Sequence, residues 1–337
     1  MSTDFNIMCF AWNADGLRIC NTTSADLADR RKKWYKKDCE PADFMLQIID
    51  LLKKHDISLA TFSTEHGATS QTYFHAEVLI NLMVENGYTP VYKEKEDQLR
   101  VSIFVRKDQY NQTTAIDERI VFNAKYKNEG SADFIVSQVY HKTFGRFMFI
   151  AVDMDDGKES KVRNVKTLLF KTFMADLLST VYYNIDLSLR PNYLFLLGDF
   201  DTIIESDRPT NVIHDAADNK IAALASNDEL KKMLSSEKVF EGIKEGVNGK
   251  GPEFLPNARL AKGRSEDCRH KTMKTQCFQP FESDKNRVGW HDRVLYLDNG
   301  TGNYTLSCFA YDKMDSETIS KSSHAGVYGL YSLTYKR

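Results

Sequence analysis

The sequence has few cysteines, no long apolar run and almost no net charge, and each of these features argues against a class of protein. Its 337 residues include only six cysteines, which are scattered without a disulfide framework. No apolar run approaches the roughly 20 residues that a membrane span requires, and we expect no signal peptide. The 45 basic and 47 acidic residues leave a net charge of -2, which argues against a protein that coats nucleic acid. We therefore expect reduced thiols in a cytoplasmic chain without a transmembrane segment.

Three potential metal ligands lie close together late in the sequence, namely Cys268, His270 and Cys277. A fourth ligand at metal-binding spacing is absent, and structural zinc sites are almost always held by four ligands. We therefore expect thiols in a solvent-exposed loop here and not a zinc site.

A basic run extends from Arg30 to Lys37 and includes Trp34 and Tyr35. Such runs usually form a solvated surface, and that is the simplest interpretation. The alternative is an anionic partner, such as a membrane surface, a nucleic acid or an acidic protein, which the aromatic side chains would also contact.

Apolar residues alternate between strand-like and helix-like spacing along the whole chain, 42% of which is hydrophobic. Strands are predicted over residues 6–14, 57–62, 98–106, 134–141, 146–153, 193–198, 293–297, 306–311 and 327–336. Helices are predicted from Pro41, over residues 71–86 before Gly87, and over residues 160–184. No linker, repeat or low-complexity segment divides the chain. We expect one domain over residues 1–337, with two packed sheets covered by helices.

Six short motifs follow one another along the chain. The most informative contains Trp290, Asp292 and Arg293 and resembles the W-x-D-R-[IV]-L signature of inositol polyphosphate 5-phosphatases. The other motifs resemble that family's landmarks in the same order. They occupy residues 12–16, 63–65, 198–201, 254–259 and 322–328.

This resemblance implies the fold of the endonuclease/exonuclease/phosphatase superfamily, a DNase I-like four-layered α/β-β/α sandwich. In that fold the motifs lie on loops at one edge of two packed mixed β-sheets. The resemblance also implies hydrolysis of phosphate esters, with inositol phosphates or phosphoinositides as substrates and Mg²⁺ as cofactor.

The family's site residues can be carried over position by position. Glu65 and Asn13 match the Mg²⁺ ligands, Asp199 matches the residue that orients the attacking water, and His324 matches a contact to the phosphate. The remaining candidates are Asp292 in the W-x-D-R motif and, for substrate binding, Asn257, Arg259 and Arg293.

Several positions depart from the family pattern. Asp153 stands where a phosphate-contacting histidine is expected, Asp201 where an asparagine is expected, and Glu129 where a lysine is expected. Ser323 replaces an aspartate that orients the final histidine, so we expect His324 to lack a carboxylate partner. Two unit charges about 4 Å apart cost about 4 kcal/mol at an effective dielectric of 20, so these carboxylates should repel a polyanionic substrate.

Two hypotheses follow from these departures. The first is a family member that has lost most of its catalysis and is reused for binding or assembly with a protein partner. The second is an active enzyme in which Glu65, Asp153, Asp199 and Asp201 hold one or two divalent cations. A nuclease is a third possibility, which rests on superfamily kinship and the basic run.

Overall fold

The computed structural model describes most of the chain but not all of it. The described residues are 5–14, 41–65, 73–96, 99–126, 130–155, 175, 176, 178, 179, 190–206, 208–236, 238–270, 274–279 and 288–336. The basic run from Arg30 to Lys37, the position of Glu129 and nearly all of the helix predicted over residues 160–184 lie outside them. Within the described residues, no helix is long and apolar enough to cross a membrane.

Twelve strands in the described residues form two six-stranded sheets. In chain order the first six are β1 Phe5–Asn13, β2 Ile57–Glu65, β3 Tyr88–Glu96, β4 Leu99–Arg106, β5 Thr113–Tyr126 and β6 Gly130–His141. The other six are β7 Gly145–Asp155, β8 Tyr193–Asp199, β9 Lys244–Glu245, β10 Asp292–Asp298, β11 Tyr304–Met314 and β12 Gly326–Tyr335. One sheet has the order β11-β12-β1-β2-β4-β3 and the other β5-β6-β7-β8-β10-β9.

Each sheet combines one parallel pair of strands with antiparallel neighbours. The parallel pairs are β1 with β2 and β7 with β8. The inner faces of the two sheets meet in one apolar cluster, where Phe195 of β8 contacts Tyr331 of β12 with ring centroids 5.1 Å apart. Both mixed sheets predicted from the sequence are thereby confirmed.

Helices cover the outer faces of the sheets. Six α-helices lie in the described residues: α1 Asp43–Lys54, α2 Tyr73–Glu85, α3 Pro209–Ala217, α4 Ile221–Ser226, α5 Glu229–Ser236 and α6 Glu266–His270. On α1, Phe44 packs edge-on against Trp12 of β1, whereas Leu46 is exposed. On the other side, Leu230 and Met233 of α5 join a second apolar cluster against the outer face of the β8 sheet.

Nine predicted strands and the first two helices are confirmed, with ends that differ by a few residues. The strands β3, β5 and β9 and the helices α3 to α6 were missed. The all-buried sequence of β8, Tyr193–Asp199, agrees with the near-continuous apolar run expected of a strand covered on both faces.

The predicted loop of reduced thiols is wrong at Cys268 and Cys277. These residues form a disulfide, and both are buried. The disulfide also removes the two thiols that a zinc site would need. Disulfides are typical of oxidising compartments, so these two cysteines no longer support the prediction of a cytoplasmic chain.

Buried His141, at the end of β6, provides a prediction for the pH dependence of stability. Its Nδ1 accepts hydrogen bonds from the backbone N–H groups of Thr143 (3.1 Å) and Phe144 (3.3 Å), and its Nε2 lies 3.2 Å from Oε1 of Gln109. The ring must therefore be neutral with its proton on Nε2. Burial lowers the pKa of His141 from 6.5 to about 4.

Because the folded state binds the His141 proton more weakly than the unfolded chain, stability should fall as pH drops from about 6.5 to about 4. The loss expected from this group is about 2–3 kcal/mol. Urea unfolding at pH 7, 5.5 and 4.5 would measure it against His141→Gln, whose free energy of unfolding should change less over the same interval. Parallel pH profiles for the two proteins would contradict the assignment.

Candidate active site

Three aspartates lie side by side at one edge of the β8 sheet. Asp199 at the end of β8 is directly paired with Asp153 of β7 and with Asp292, the first residue of β10. Side chains alternate between the two faces of a strand, and all three positions share the parity of residues that face the inner core. The strand register therefore brings together carboxylates that are far apart in the sequence.

The facing edge of the other sheet contributes Asn13 and Glu65. These two residues are direct neighbours at the ends of the parallel strands β1 and β2. The side-chain Nδ2 of Asn13 donates a 2.8 Å hydrogen bond across to Oδ2 of Asp199, which connects the two sheets at the site. The sequence-predicted residues Asn13, Asp199 and Asp292 are thus in one place, with Glu65 beside Asn13 in the backbone register.

Asp199 also depends on the glycine before it. A Cβ atom at Gly198 would lie only 1.9 Å from the carbonyl oxygen of Val152, so the close approach of β7 and β8 requires glycine there. After the strand, Oδ1 of Asp199 accepts a 2.7 Å hydrogen bond from the backbone N–H of Asp201. Asp201 itself adopts a positive φ of 46°, a left-handed turn that aspartate tolerates better than most residues.

His324 has a carboxylate partner, contrary to the expectation from Ser323. Its Nδ1 lies 2.7 Å from Oδ2 of Asp292, and the other carboxylate oxygen of Asp292 accepts a 2.5 Å hydrogen bond from the backbone N–H of Asn13. Asp292 is 32 residues away in sequence and reaches His324 because β10 starts beside the end of β8. The expectation that His324 lacks a carboxylate is therefore wrong.

The loop carrying His324 is held against the end of β1. The Ser322 hydroxyl donates to the carbonyl oxygen of Asn13 (3.1 Å) and accepts from the backbone N–H of His324 (3.0 Å). His324 and Asp199 are both about 5% exposed or less, and His324 Nδ1 lies 3.9 Å from Oδ2 of Asp199.

The combined effect of burial and neighbouring charges raises the pKa values of both Asp199 and His324. Burial raises the pKa of Asp199, partly opposed by the charge of His324. Burial alone would lower the pKa of His324, but the adjacent carboxylate of Asp292 reverses this and raises it. A carboxylate and an imidazole shifted in this way are typical of sites that hold and move protons.

His291 is a site residue that the sequence analysis missed. It is 1% exposed, and its Nδ1 lies 3.2 Å from Oδ1 of Asp201 and 3.9 Å from Oδ1 of Asp199. On the other side of Asp201, Nη2 of Arg259 is 4.0 Å from the same carboxylate oxygen. The additional negative charge of Asp201 therefore lies between two nitrogen groups. The variable position of W-x-D-R, read together with Asp201, is the signal that could have found it.

Two of the residues predicted to bind substrate instead form contacts within the fold. Asn257 is fully buried; its Nδ2 donates to the carbonyl oxygen of Asp292 (2.7 Å) and its Oδ1 accepts from the backbone N–H of His291 (2.9 Å). Arg293 follows Asp292 and therefore points to the opposite face of β10, where Asp228 and Glu245 surround its guanidinium. Neither side chain is placed among the acids of the site, whereas Arg259 is partly exposed beside it.

A second missed residue, Arg264, holds the loops of the site together. Its guanidinium forms a fully buried ion pair with Asp315 (2.6 Å) and donates to the backbone carbonyl oxygens of Ser322 (2.8 Å) and His324 (3.3 Å). The Cys268–Cys277 disulfide braces the other side of the same segment, because the backbone N–H of Ala261 donates to the carbonyl oxygen of Cys277.

Comparisons with known proteins agree with this architecture. The model of endonuclease/exonuclease/phosphatase family 2 matches residues 12–330. The nitrophorin of Cimex, solved as a ferrous NO complex, aligns with a TM-score of 0.64 at 15% identity, over 99% of this chain and 100% of its own. The inositol polyphosphate 5-phosphatase domain of SpSynaptojanin, solved with inositol (1,4)-bisphosphate and calcium ion, aligns with a TM-score of 0.63 at 15% identity, over 98% of this chain and 85% of its own.

At these identities the solved structures show a shared fold and nothing finer. Comparison with curated proteins finds no match. The family model spans nearly the whole chain and includes every motif at which the site residues lie. The chain belongs to the endonuclease/exonuclease/phosphatase family.

Proposed function

We propose that the protein is a divalent-cation-dependent hydrolase of phosphate esters. The observation that carries this proposal is the 2.7 Å contact between His324 Nδ1 and Asp292 Oδ2, directly beside Asp199. Hydrolysis of a phosphate ester requires a positioned water and donors for the phosphoryl oxygens. Asp199 offers a carboxylate that can orient a water, and His324 offers a donor for a phosphoryl oxygen; these features support the proposal against the departures at Asp153, Asp201 and Ser323.

In this proposal Asp199 orients the attacking water and accepts its proton as the new bond to phosphorus forms. Asn13 holds one oxygen of Asp199 and the N–H of Asp201 holds the other, so the carboxylate is fixed in orientation. His324 donates a hydrogen bond from Nε2 to a phosphoryl oxygen, while Asp292 retains the proton on Nδ1 and stabilises the imidazolium. The leaving alkoxide takes a proton from solvent.

The site also fits the cation that the family implies. Asn13 and Glu65 end neighbouring strands and both offer oxygen ligands, which Mg²⁺ prefers. Nδ2 of Asn13 donates to Asp199, and the side-chain carbonyl oxygen is the atom of Asn13 whose chemistry suits a metal. A bound Mg²⁺ supplies neutralisation of the phosphoryl charge. The test of this assignment is loss of the Mg²⁺-induced rise in melting temperature in Glu65→Gln.

The charges of the side chains at the site favour a substrate with few phosphate groups. Arg259 is a partly exposed cation at the site, and its buried Nε has no hydrogen-bond partner among the described residues. Asp153 and Asp201 carry negative charges, which would repel a polyphosphate. We propose a monophosphate or bisphosphate ester, an inositol phosphate or phosphoinositide among the candidates.

A second candidate function is binding without turnover. Asp153 and Asp201 occupy positions where the family resemblance implies groups that contact the phosphate, and loss of one such donor costs about 10²–10³ in rate in comparable sites. A protein with a 5-phosphatase fold and this charge pattern could bind a partner at the same edge of the sheets.

Hydrolysis distinguishes the two candidates, measured as phosphate release from monoesters, nitrophenol release from the nitrophenyl diester and strand cleavage of DNA. The purified protein is incubated with inositol bisphosphate, para-nitrophenyl phosphate, bis(para-nitrophenyl) phosphate and single-stranded DNA, each with Mg²⁺, Mn²⁺ or Ca²⁺. We expect turnover of a monoester that falls about 10²–10⁴-fold in Asp199→Asn. The matched control, Asp50→Asn on the exposed face of α1, should keep wild-type activity. Turnover that is absent with every substrate and cation would favour the binding-only function.

A further inference from the structure

Three side chains at the site form a cluster of metal-ligating atoms that includes two histidines. Asp199, His291 and His324 each present one ligand atom, and these atoms all lie within 4.8 Å of one another. All three side chains are buried. This set is distinct from the oxygen ligands Asn13 and Glu65, because two of its three members are imidazoles.

The ligand types indicate which ion would bind. Imidazole nitrogen suits Zn²⁺, Co²⁺, Ni²⁺, Cu²⁺ and Fe²⁺, whereas Mg²⁺ and Ca²⁺ bind oxygen. Two histidines and one carboxylate with an open position are a frequent ligand set of such ions. Ligand atoms about 2.0–2.2 Å from a tetrahedral ion are about 3.3–3.6 Å apart, so shifts of about 1 Å would close the cluster.

The surrounding carboxylates complete the arrangement. Asp292 contacts Nδ1 of His324, as in the carboxylate–histidine–metal arrangement that orients the ring and leaves Nε2 to bind the ion. Asp201 lies 3.2 Å from Nδ1 of His291. Asp199, Asp201 and Asp292 bring three carboxylates into one buried region, and a divalent cation would neutralise part of this charge.

We propose that Asp199, His291 and His324 bind a transition ion of the zinc class, and that the bound ion inhibits hydrolysis. Inhibition follows because the ion occupies the groups that would orient water and contact the phosphate. The inhibitory part rests on the proposed function, whereas binding of the ion does not.

The binding experiment uses Co²⁺ as the probe, because its visible absorption reports ligand type and geometry. Titration of the intact protein should produce visible bands that Zn²⁺ abolishes at equimolar concentration and that millimolar Mg²⁺ leaves in place. His291→Gln should weaken Co²⁺ binding at least about 10-fold. The control His214→Gln, on the exposed surface of α3, should bind like the wild type.

His324→Gln provides a second variant if His291→Gln fails to fold, which circular dichroism would detect. Co²⁺ bands that are absent in the wild type, or that persist unchanged in the folded histidine variants, would overturn the proposed site. An intense near-ultraviolet thiolate band would do the same, because it would assign the ion to cysteine.

The inhibition experiment is separate and requires a measurable turnover. With saturating Mg²⁺, Zn²⁺ should inhibit the wild type and His214→Gln at the concentration at which it displaces Co²⁺. Zn²⁺ that displaces Co²⁺ without reducing a measurable turnover would overturn the inhibitory role and leave binding established. Normal Co²⁺ binding in a protein without turnover would count against the proposed function and not against the metal site.

Discussion

Replacing Arg293 by methionine should lower the free energy of unfolding by about 3–5 kcal/mol, the largest stability effect that we expect from one substitution in this chain. The guanidinium is fully buried and binds two carboxylates, with contacts of 2.8 and 3.0 Å to Asp228 and 2.5 and 2.6 Å to Glu245. Tyr311 donates a further hydrogen bond to Glu245. Methionine retains much of the side-chain volume but leaves both carboxylates buried without their cation.

Urea unfolding monitored by tryptophan fluorescence measures this loss. Adding Asp228→Asn and Glu245→Gln to Arg293→Met removes the stranded charges and should recover at least about 1 kcal/mol. Lys232→Met is the matched control, because its ion pair with Glu205 is nearly half exposed and should contribute less than about 1 kcal/mol. A loss in Arg293→Met no larger than in Lys232→Met would contradict a framework role for Arg293.

Asp292→Asn should reduce turnover about 10²–10⁴-fold while the protein remains folded. The amide oxygen can still accept the hydrogen bond from the N–H of Asn13, so the loop geometry is retained. The charge that raises the pKa of His324 is lost, however, and the imidazolium is no longer stabilised. The loss should appear mainly in kcat, because the interaction matters most when charge develops on the phosphate.

Ser323→Asp provides the complementary test at this pair. If His324 had no carboxylate partner, the aspartate introduced by Ser323→Asp would supply one and should raise activity. Because Asp292 already contacts Nδ1 of His324, we expect no gain, and the additional negative charge should if anything weaken substrate binding. A large gain in Ser323→Asp, together with normal turnover in Asp292→Asn, would show that catalysis does not depend on the contact between His324 and Asp292.

Sequence patterns predicted the sheets because buried strands such as β8, Tyr193–Asp199, have an apolar signature that is local. The motif order likewise brought Asn13, Asp199 and His324 to one site. The partner of His324 could not be predicted locally, since the contact to Asp292 depends on how β10 aligns with β8.

The predictions for Arg293 and for the two disulfide-bonded cysteines were also wrong because the local sequence does not determine their contacts. Arg293 belongs to a family motif, but strand alternation turns it away from its neighbour Asp292, and its partners Asp228 and Glu245 lie in segments whose structure was not predicted. The Cys268–Cys277 disulfide joins residues only nine apart, in a region without periodicity. Loop geometry of this kind has no spacing rule from which it could be inferred.

Hydrolysis in water enriched in ¹⁸O tests most directly whether this site activates water for attack on phosphorus. The released phosphate is analysed by mass spectrometry after a single turnover with a phosphate monoester and Mg²⁺. We predict one solvent oxygen in the phosphate and none in the alcohol, with the rate of label incorporation lowered in parallel by Asp199→Asn and Asp292→Asn. Label in the alcohol, or labelled phosphate formed at equal rates by the wild type and both variants, would contradict the assignment of catalysis to Asp199 and the His324–Asp292 pair.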